Sequence, residues 1–332
     1  MRQGSSGHRG TSRRVQYGVS IVEVMIALTL GLVAVGAAAA IYLANRKSFA
    51  TAESIARMEE NARFAVDLLS RDIREAGNSI CGGALISTNV VTPTNTWALW
   101  DRGLVGDVLT SGSPSAGFTI AAPTGATRQL ANTSSLLIWS ASAAGTPIQI
   151  TGHNRTTRTF TTSGDSGFQP NDVVVACDGS QVLTVEVETD PSGNDLTYVD
   201  NAASSPQINP GGYLTPLTAH IWYVGKSATQ PGAYSLRRLS IDKTGAWGGN
   251  NDEMVTGVTD LQISYLLADT FGAPSASSYQ NAAAVGTQWP LVSAVRLTLT
   301  LATVDKTGSS GSAATVITHD VPMTAGIKVR LP

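Results

Sequence analysis

The chain has 332 residues, enough to bury a full core in one large domain or two smaller ones. Only 14% of them are charged, and Gly, Ser, Thr and Asn abound, a composition of secreted, turn-rich β proteins rather than of cytosolic enzymes. A formal net charge of −2, with no basic patch in the body of the chain, excludes broad attraction to a phosphate backbone, so no nucleic-acid partner is expected.

Residues 1–18 carry Arg2, Arg9, Arg13 and Arg14 among Gly and Ser and have no apolar face to pack, which reads as a leader or a tail. From Val24 to Asn45 run 22 consecutive uncharged residues. As a helix they would span about 33 Å, enough to cross a bilayer. Arg13 and Arg14 before the run are nearly balanced by Arg46 and Lys47 after it, so cation counting does not orient the span. Ala38-Ala39-Ala40 could be the cleavage site of an ordinary secretory signal. Against that, Glu23 stands where a signal peptide expects cations, and the helical pattern continues past the cut.

After Arg46 the pattern turns amphipathic. Ile55, Met58, Ala62, Ala65, Leu69, Ile73 and Ala76 fall at spacings of three and four and trace one helical stripe. Glu59 with Arg63 and Asp67 with Arg71 are i,i+4 acid-to-base pairs on the charged side, and Gly77 suits the residue that stops the helix.

Beyond residue 77 short β-branched or alternating runs are punctuated by Gly, Pro, Asn and Ser, so this region is expected to be mainly β. Strands with one buried face are expected at Leu217–Tyr223 and Val295–Leu301, and further strands at Val173–Ala176, Val182–Val187, Tyr234–Ile241, Leu261–Leu267 and Ala325–Leu331. Asp190–Asp195 and Gly248–Asp252 read as polar turns. The first superficially resembles a calcium loop, but the sixth position from Asp190 is Asp195 rather than Gly, so no metal site is assigned.

No catalytic set emerges. His153, His220 and His319 are far apart and lack metal-ligand spacing, His153 reading as a solvated turn residue and His220 as the polar side of a strand. Nucleophile-elbow, phosphate-loop and dinucleotide motifs are missing, so no enzyme and no cofactor are expected. Trp97, Trp100, Trp139, Trp222, Trp247 and Trp289 suit core or loop packing, or alternatively an adhesive surface. Cys81 and Cys177 are too far apart for a redox or zinc motif, which leaves a disulfide outside the cytoplasm or two reduced thiols.

The segment Gly18-Val19-Ser20-Ile21-Val22-Glu23, followed by the apolar run, resembles the signal of type IV prepilins and type II secretion pseudopilins. The resemblance implies cleavage after Gly18 by a prepilin peptidase, methylation of the new amine of Val19, and an assembly role for Glu23 as the fifth mature residue. Val19 stands where phenylalanine is usual. The stretches Ala56–Ala65 and Leu69–Gly77 with Cys81 following, then Asn171–Asp178, Val255–Tyr265 and Val295–Leu299, resemble in order the blocks of the PilW family of minor pilins.

The resemblance implies an α+β fold: a cleaved leader over 1–18, a helix over 19–76 that spans the membrane at about 24–45, and a β-rich head over 77–332. The head would lie in the periplasm and then on the pilus, where Cys81 and Cys177 would form a disulfide. The implied partners are the prepilin peptidase, other minor pilins and the major pilin, the inner-membrane assembly platform and a pilus-tip adhesin. The implied role is pilus assembly or priming, and with it twitching motility or adhesion. The alternatives are a type II secretion pseudopilin and a secreted adhesive β protein.

Overall fold

One uninterrupted helix, α1 (Ile21–Glu75), precedes a region whose regular elements, among the described residues, are strands apart from a short helix and one 3-10 turn. The computed structural model describes residues 18–82, 86–91, 100, 103–106, 129–141, 146–189, 191, 193–201, 205–241, 247–268, 278–304 and 310–323. The chain forms two compact units, Met1–Glu53 and Ser54–Pro332, so the second half of α1 belongs with the strands.

In the second unit the apolar stripe of α1 meets its core. Met58, Ala62, Ala65, Leu69, Ile73 and Ala76 are buried and Ile55 is half-buried, as the spacing of three and four requires of a helix with one covered face. After Glu75 the backbone turns at Gly77, whose φ of 66° is a left-handed conformation that a side chain would strain. The Gly77 N–H donates to the Trp139 carbonyl at 2.8 Å, so the helix end is tied to a strand. Arg71 pairs with Glu75 at 3.4 Å. The expected pairs Glu59–Arg63 and Asp67–Arg71 are not formed; exposed pairs of this kind are worth only a few tenths of a kcal/mol, too little to dictate which partner a long side chain takes.

Among the described residues three sheets follow. The first contains β1 (Ile86–Asn89), β4 (Ile148–Asn154), β5 (Thr159–Thr162), β6 (Val173–Cys177), β7 (Gln181–Val187), β8 (Asp195–Val199) and β9 (Tyr213–Pro216). Its order is β1-β7-β6-β9-β4-β5-β8, and β8 pairs back onto β7, so all but β1 close into a small barrel. The barrel has its own core, with Ile150, Phe160, Leu183, Val185, Leu196 and Tyr198 among its buried members. In β6, Val174 and Ala176 face that interior while Val173, Val175 and Cys177 face the main core. The whole run is therefore apolar because both of its faces are buried.

The second sheet has the order β12-β11-β10-β3-β2, from β2 (Leu104–Gly106), β3 (Leu136–Ser140), β10 (Thr218–Lys226), β11 (Tyr234–Ile241) and β12 (Trp247–Thr256). The third is an antiparallel meander of β13 (Val258–Leu267), β14 (Val292–Val304) and β15 (Ser310–Pro322). One short helix, α2 (Ala282–Val285), precedes β14. The main core joins the α1 stripe to Trp139, Ile221, Leu236, Leu261 and Leu297 from these sheets.

The expected strands at 173–176, 182–187, 234–241, 261–267 and 295–301 lie within β6, β7, β11, β13 and β14, and β10 begins one residue after Leu217. The expected strand Ala325–Leu331 lies outside the described residues. Gly248–Asp252, expected as a turn, is instead part of β12, where Asn250, Asn251 and Asp252 pair with Ser240, Leu239 and Arg238. Backbone ladder bonds there override a composition that disfavours strands.

Candidate functional site

Gly18, Val19 and Ser20 precede α1 and are exposed. The Ser20 hydroxyl accepts a hydrogen bond from the Val22 N–H at 3.3 Å, and the Ser20 carbonyl accepts from the Val24 N–H at 3.1 Å. Ser20 thus caps the helix, which fixes where the helix starts relative to the Gly18–Val19 peptide bond. Glu23 stands in the first turn, where unpaired N–H groups and the positive end of the helix dipole favour a carboxylate.

Within this unit the apolar side chains have no cover: Ile21 is 81% exposed, and every residue from Gly18 to Glu53 is exposed. Val19, Glu23, Ala27, Gly31 and Val35 line one shallow groove along the helix, and nothing lies within 4 Å of where a Cβ would stand on Gly31. By length and composition α1 can cross a membrane. Arg46 lies 5.8 Å above the Tyr42 ring, and an aromatic with a cation is the pairing expected where an apolar span meets headgroups.

At the other end of α1 the chain is bound into the second unit. Asn61 Nδ2 donates to the Thr256 carbonyl at 3.1 Å, and the Trp222 indole donates to Asp72 Oδ2 at 2.8 Å. The Arg238 guanidinium lies 5.8 Å from the Trp222 ring centre. Cys81 and Cys177 form a disulfide with 5.9 Å between their Cα atoms, fastening the segment after α1 to the end of β6. Of the two readings of these cysteines, the structure selects the bonded pair. The Asp72, Trp222 and Arg238 cluster has no sequence signal, since its members meet only through the pairing of β10 with β11 and the docking of α1.

The histidines have structural surroundings. His153 is on β4 and half-buried, not in a solvated turn as expected, because β4 pairs with β5 around it. The Ile208 N–H donates to its Nδ1 at 3.0 Å, so Nε2 carries the proton and donates to the Tyr198 hydroxyl at 2.9 Å. Phe160 stacks on the ring at 4.2 Å. Desolvation, aided by Arg155 and opposed by Asp200, lowers its pKa to about 4. His220 bonds Ser240 at 3.0 Å, and burial with the Arg238 charge likewise lowers its pKa to about 4. His319 is half-buried on β15. These rings belong to separate strands and do not converge.

Among the described residues no three His, Cys, Asp or Glu side chains are placed to hold a metal ion. The buried Arg237 is satisfied by the Asn251 side chain at 3.0 Å and carbonyl at 2.8 Å and by Glu253 at 3.6 Å, an arrangement that seals a β11–β12 ladder. Trp100, Trp139, Trp222 and Trp289 are buried and so present no adhesive surface; Trp97 and the Trp247 side chain lie outside the described residues. The uncovered helix with its first-turn carboxylate is therefore a feature of the molecule that calls for a partner.

Residues 221–329 match the family described as type IV pilus-assembly protein W, PilW. No curated protein and no solved structure matches the chain. The matched stretch covers most of β10 and all of β11 to β15, a part of the chain that shares no residue with the segment Gly18–Glu23.

Proposed function

From the premise that this chain belongs to the PilW family of type IV pilus-assembly proteins, by its residues 221–329, we propose that it is a minor-pilin-like structural subunit. The observation that carries this reading is α1 itself: an exposed first half, apolar from Val24 and with Glu23 in its first turn, continuous with a second half rooted in the core of a β-rich head. Such a helix needs a solvent other than water for its first half. A bilayer serves before assembly, and the packed helices of other subunits serve afterwards.

In this reading a prepilin peptidase cuts between Gly18 and Val19, and the freed amine is methylated. The exposed placement of that bond ahead of the Ser20 cap supports it. The helix holds the chain in the inner membrane with the head in the periplasm, where the Cys81–Cys177 disulfide is at home. Other minor pilins and the major pilin then take over the apolar helix, on the assembly platform, and a tip adhesin is a further partner. Glu23 pairs with the cationic amine of a neighbour and sets axial register. A buried charge pair of this kind selects arrangement more than it adds affinity.

The test is deletion of the gene with two readouts, surface pili with twitching and secretion of exoproteins, together with N-terminal analysis of the mature chain. The proposal expects lost pili, normal secretion and a methylated Val19. Retained exoprotein with normal pili would establish a secretion-system pseudopilin, and a mature start near Ile41 would establish an ordinary signal peptide.

A further inference from the structure

The meander β13-β14-β15 has two outer edges, and they are treated differently. On β13 the outer edge is covered: the Leu261 carbonyl accepts from the Ser134 N–H at 2.7 Å, the Ile263 N–H donates to the Ser134 hydroxyl at 3.2 Å, and Tyr265 exchanges two backbone bonds with Gln280. On β15 no backbone group of the outer edge is bonded within the chain among the described residues.

The pairing with β14 settles which groups these are. Met323 N–H donates to the Ser293 carbonyl, and Ser293 with Met323 lies in the same register as the pairs Val295–Val321, Leu297–His319, Leu299–Ile317 and Leu301–Thr315. Because hydrogen-bonded pairs alternate in an antiparallel ladder, Thr315, Ile317, His319 and Val321 turn their N–H and C=O groups toward β14. Ala314, Val316, Thr318 and Asp320 turn theirs outward. Pro322 is next in the outward series, and a residue with no N–H belongs on that side and closes the open stretch.

Natural edges are guarded by shortness, lysine, proline or bulges. The edge strand β12 carries Asp252 and Glu253 and two register shifts against β11, and β2 is only three residues long. From Ala314 to Val321, in contrast, β15 has no Lys, Gly or Pro and no register shift. It presents Val316 at 62% exposure, and its only carboxylate, Asp320, is already held by Arg296 at 2.7 and 2.8 Å.

We infer that β15 pairs edge to edge with β15 of a second copy of this chain, antiparallel and about a two-fold axis through Ile317. In this register the strand is complementary to itself, because the outward residues Ala314, Val316, Thr318 and Asp320 are placed symmetrically about Ile317. Ala314 meets Asp320 of the second copy and Val316 meets Thr318, so each outward group finds its complement, with about eight new backbone bonds in all. On the inner face Ile317 meets its own counterpart and Thr315 meets His319, extending the cover over side chains that are half-buried in the single chain. No like charges are opposed, and the contact is isologous and closes at two copies. The meander becomes a continuous sheet across both chains.

The test uses the full chain in detergent, with mass measured by light scattering and with single cysteines introduced for cross-linking. Opposed cysteines at a non-hydrogen-bonded pair come within disulfide reach, so Ile317→Cys should cross-link two chains several-fold more than Val316→Cys, whose counterpart is displaced. Val316→Pro removes an outward donor that the single chain does not use. It should abolish the dimer while leaving the melting temperature of the monomer nearly unchanged. A monomer at every concentration overturns the inference. So does a dimer that survives Val316→Pro, or one cross-linked equally at both positions, since pairing would then run through another surface such as α1.

Discussion

The Trp222 indole donates to Asp72 Oδ2 at 2.8 Å, joining the last turns of α1 to β10 between residues 150 positions apart. Trp222 is fully buried, so this bond satisfies the one polar atom of a large core side chain. The carboxylate pays for its own burial: desolvation raises the Asp72 pKa, with the Trp222 bond and the Arg238 charge opposing it.

An amide should therefore serve as well as the acid. Asp72→Asn keeps an acceptor for the indole without the cost of a desolvated charge, and it is expected to leave the melting temperature equal or raised at neutral pH. Asp72→Ala strands the indole N–H and should cost about 1–3 kcal/mol. Since the folded pKa is raised, the contribution of Asp72 is most favourable in acid and weakens as pH rises through that value. Denaturation of both variants across pH checks each part, and equal losses from Asn and Ala would contradict the account.

Reduction should be costly. The disulfide closes a separation of 96 residues, which on the chain-entropy account stabilises by about 4–5 kcal/mol. A Cys81→Ser, Cys177→Ser double variant should unfold at much lower denaturant than the oxidised chain. A midpoint shift worth under about 1 kcal/mol would show that the helix root is held by packing alone.

Acid should weaken the head between about pH 6.5 and 4. His153 and His220 both titrate near 4 in the fold, while an unfolded imidazole titrates near its ordinary 6.5. The unfolded chain thus takes up protons first as pH falls, so stability is full above about 6.5 and is lost on the way down to about 4. For His153 the proton would enter at Nδ1, which accepts the Ile208 N–H. NMR titration of the two rings is the check, and a midpoint near 6.5 for His153 would contradict the assigned geometry.

Under the proposed function, Glu23→Ala should separate insertion from assembly. The helix cap belongs to Ser20 and the apolar run is untouched, so membrane fractionation and cleavage at Val19 are expected to be normal. Co-isolation with other pilus subunits should fall sharply. Unimpaired incorporation with normal piliation would remove Glu23 from the register role.

Much of this protein is written in periodicity. Met58, Ala62, Ala65, Leu69, Ile73 and Ala76 had to share a helical face, because spacings of three and four leave no other geometry. The alternation Val295, Leu297, Leu299, Leu301 had to give a strand buried on one side. These are local properties, set by the backbone repeat and readable in any window of a dozen residues. What they could not disclose is decided over distances of a hundred residues or more. The return of β8 onto β7 that closes the barrel, and the pairing of β4 with β5 that half-buries His153, depend on which strands meet. The strand character of polar Gly248–Asp252 exists only because β11 lies beside it. The apolar run after Glu23 marked in the sequence a surface that the chain leaves uncovered, while only the register of β14 against β15 decided which backbone groups of the last described strand face outward.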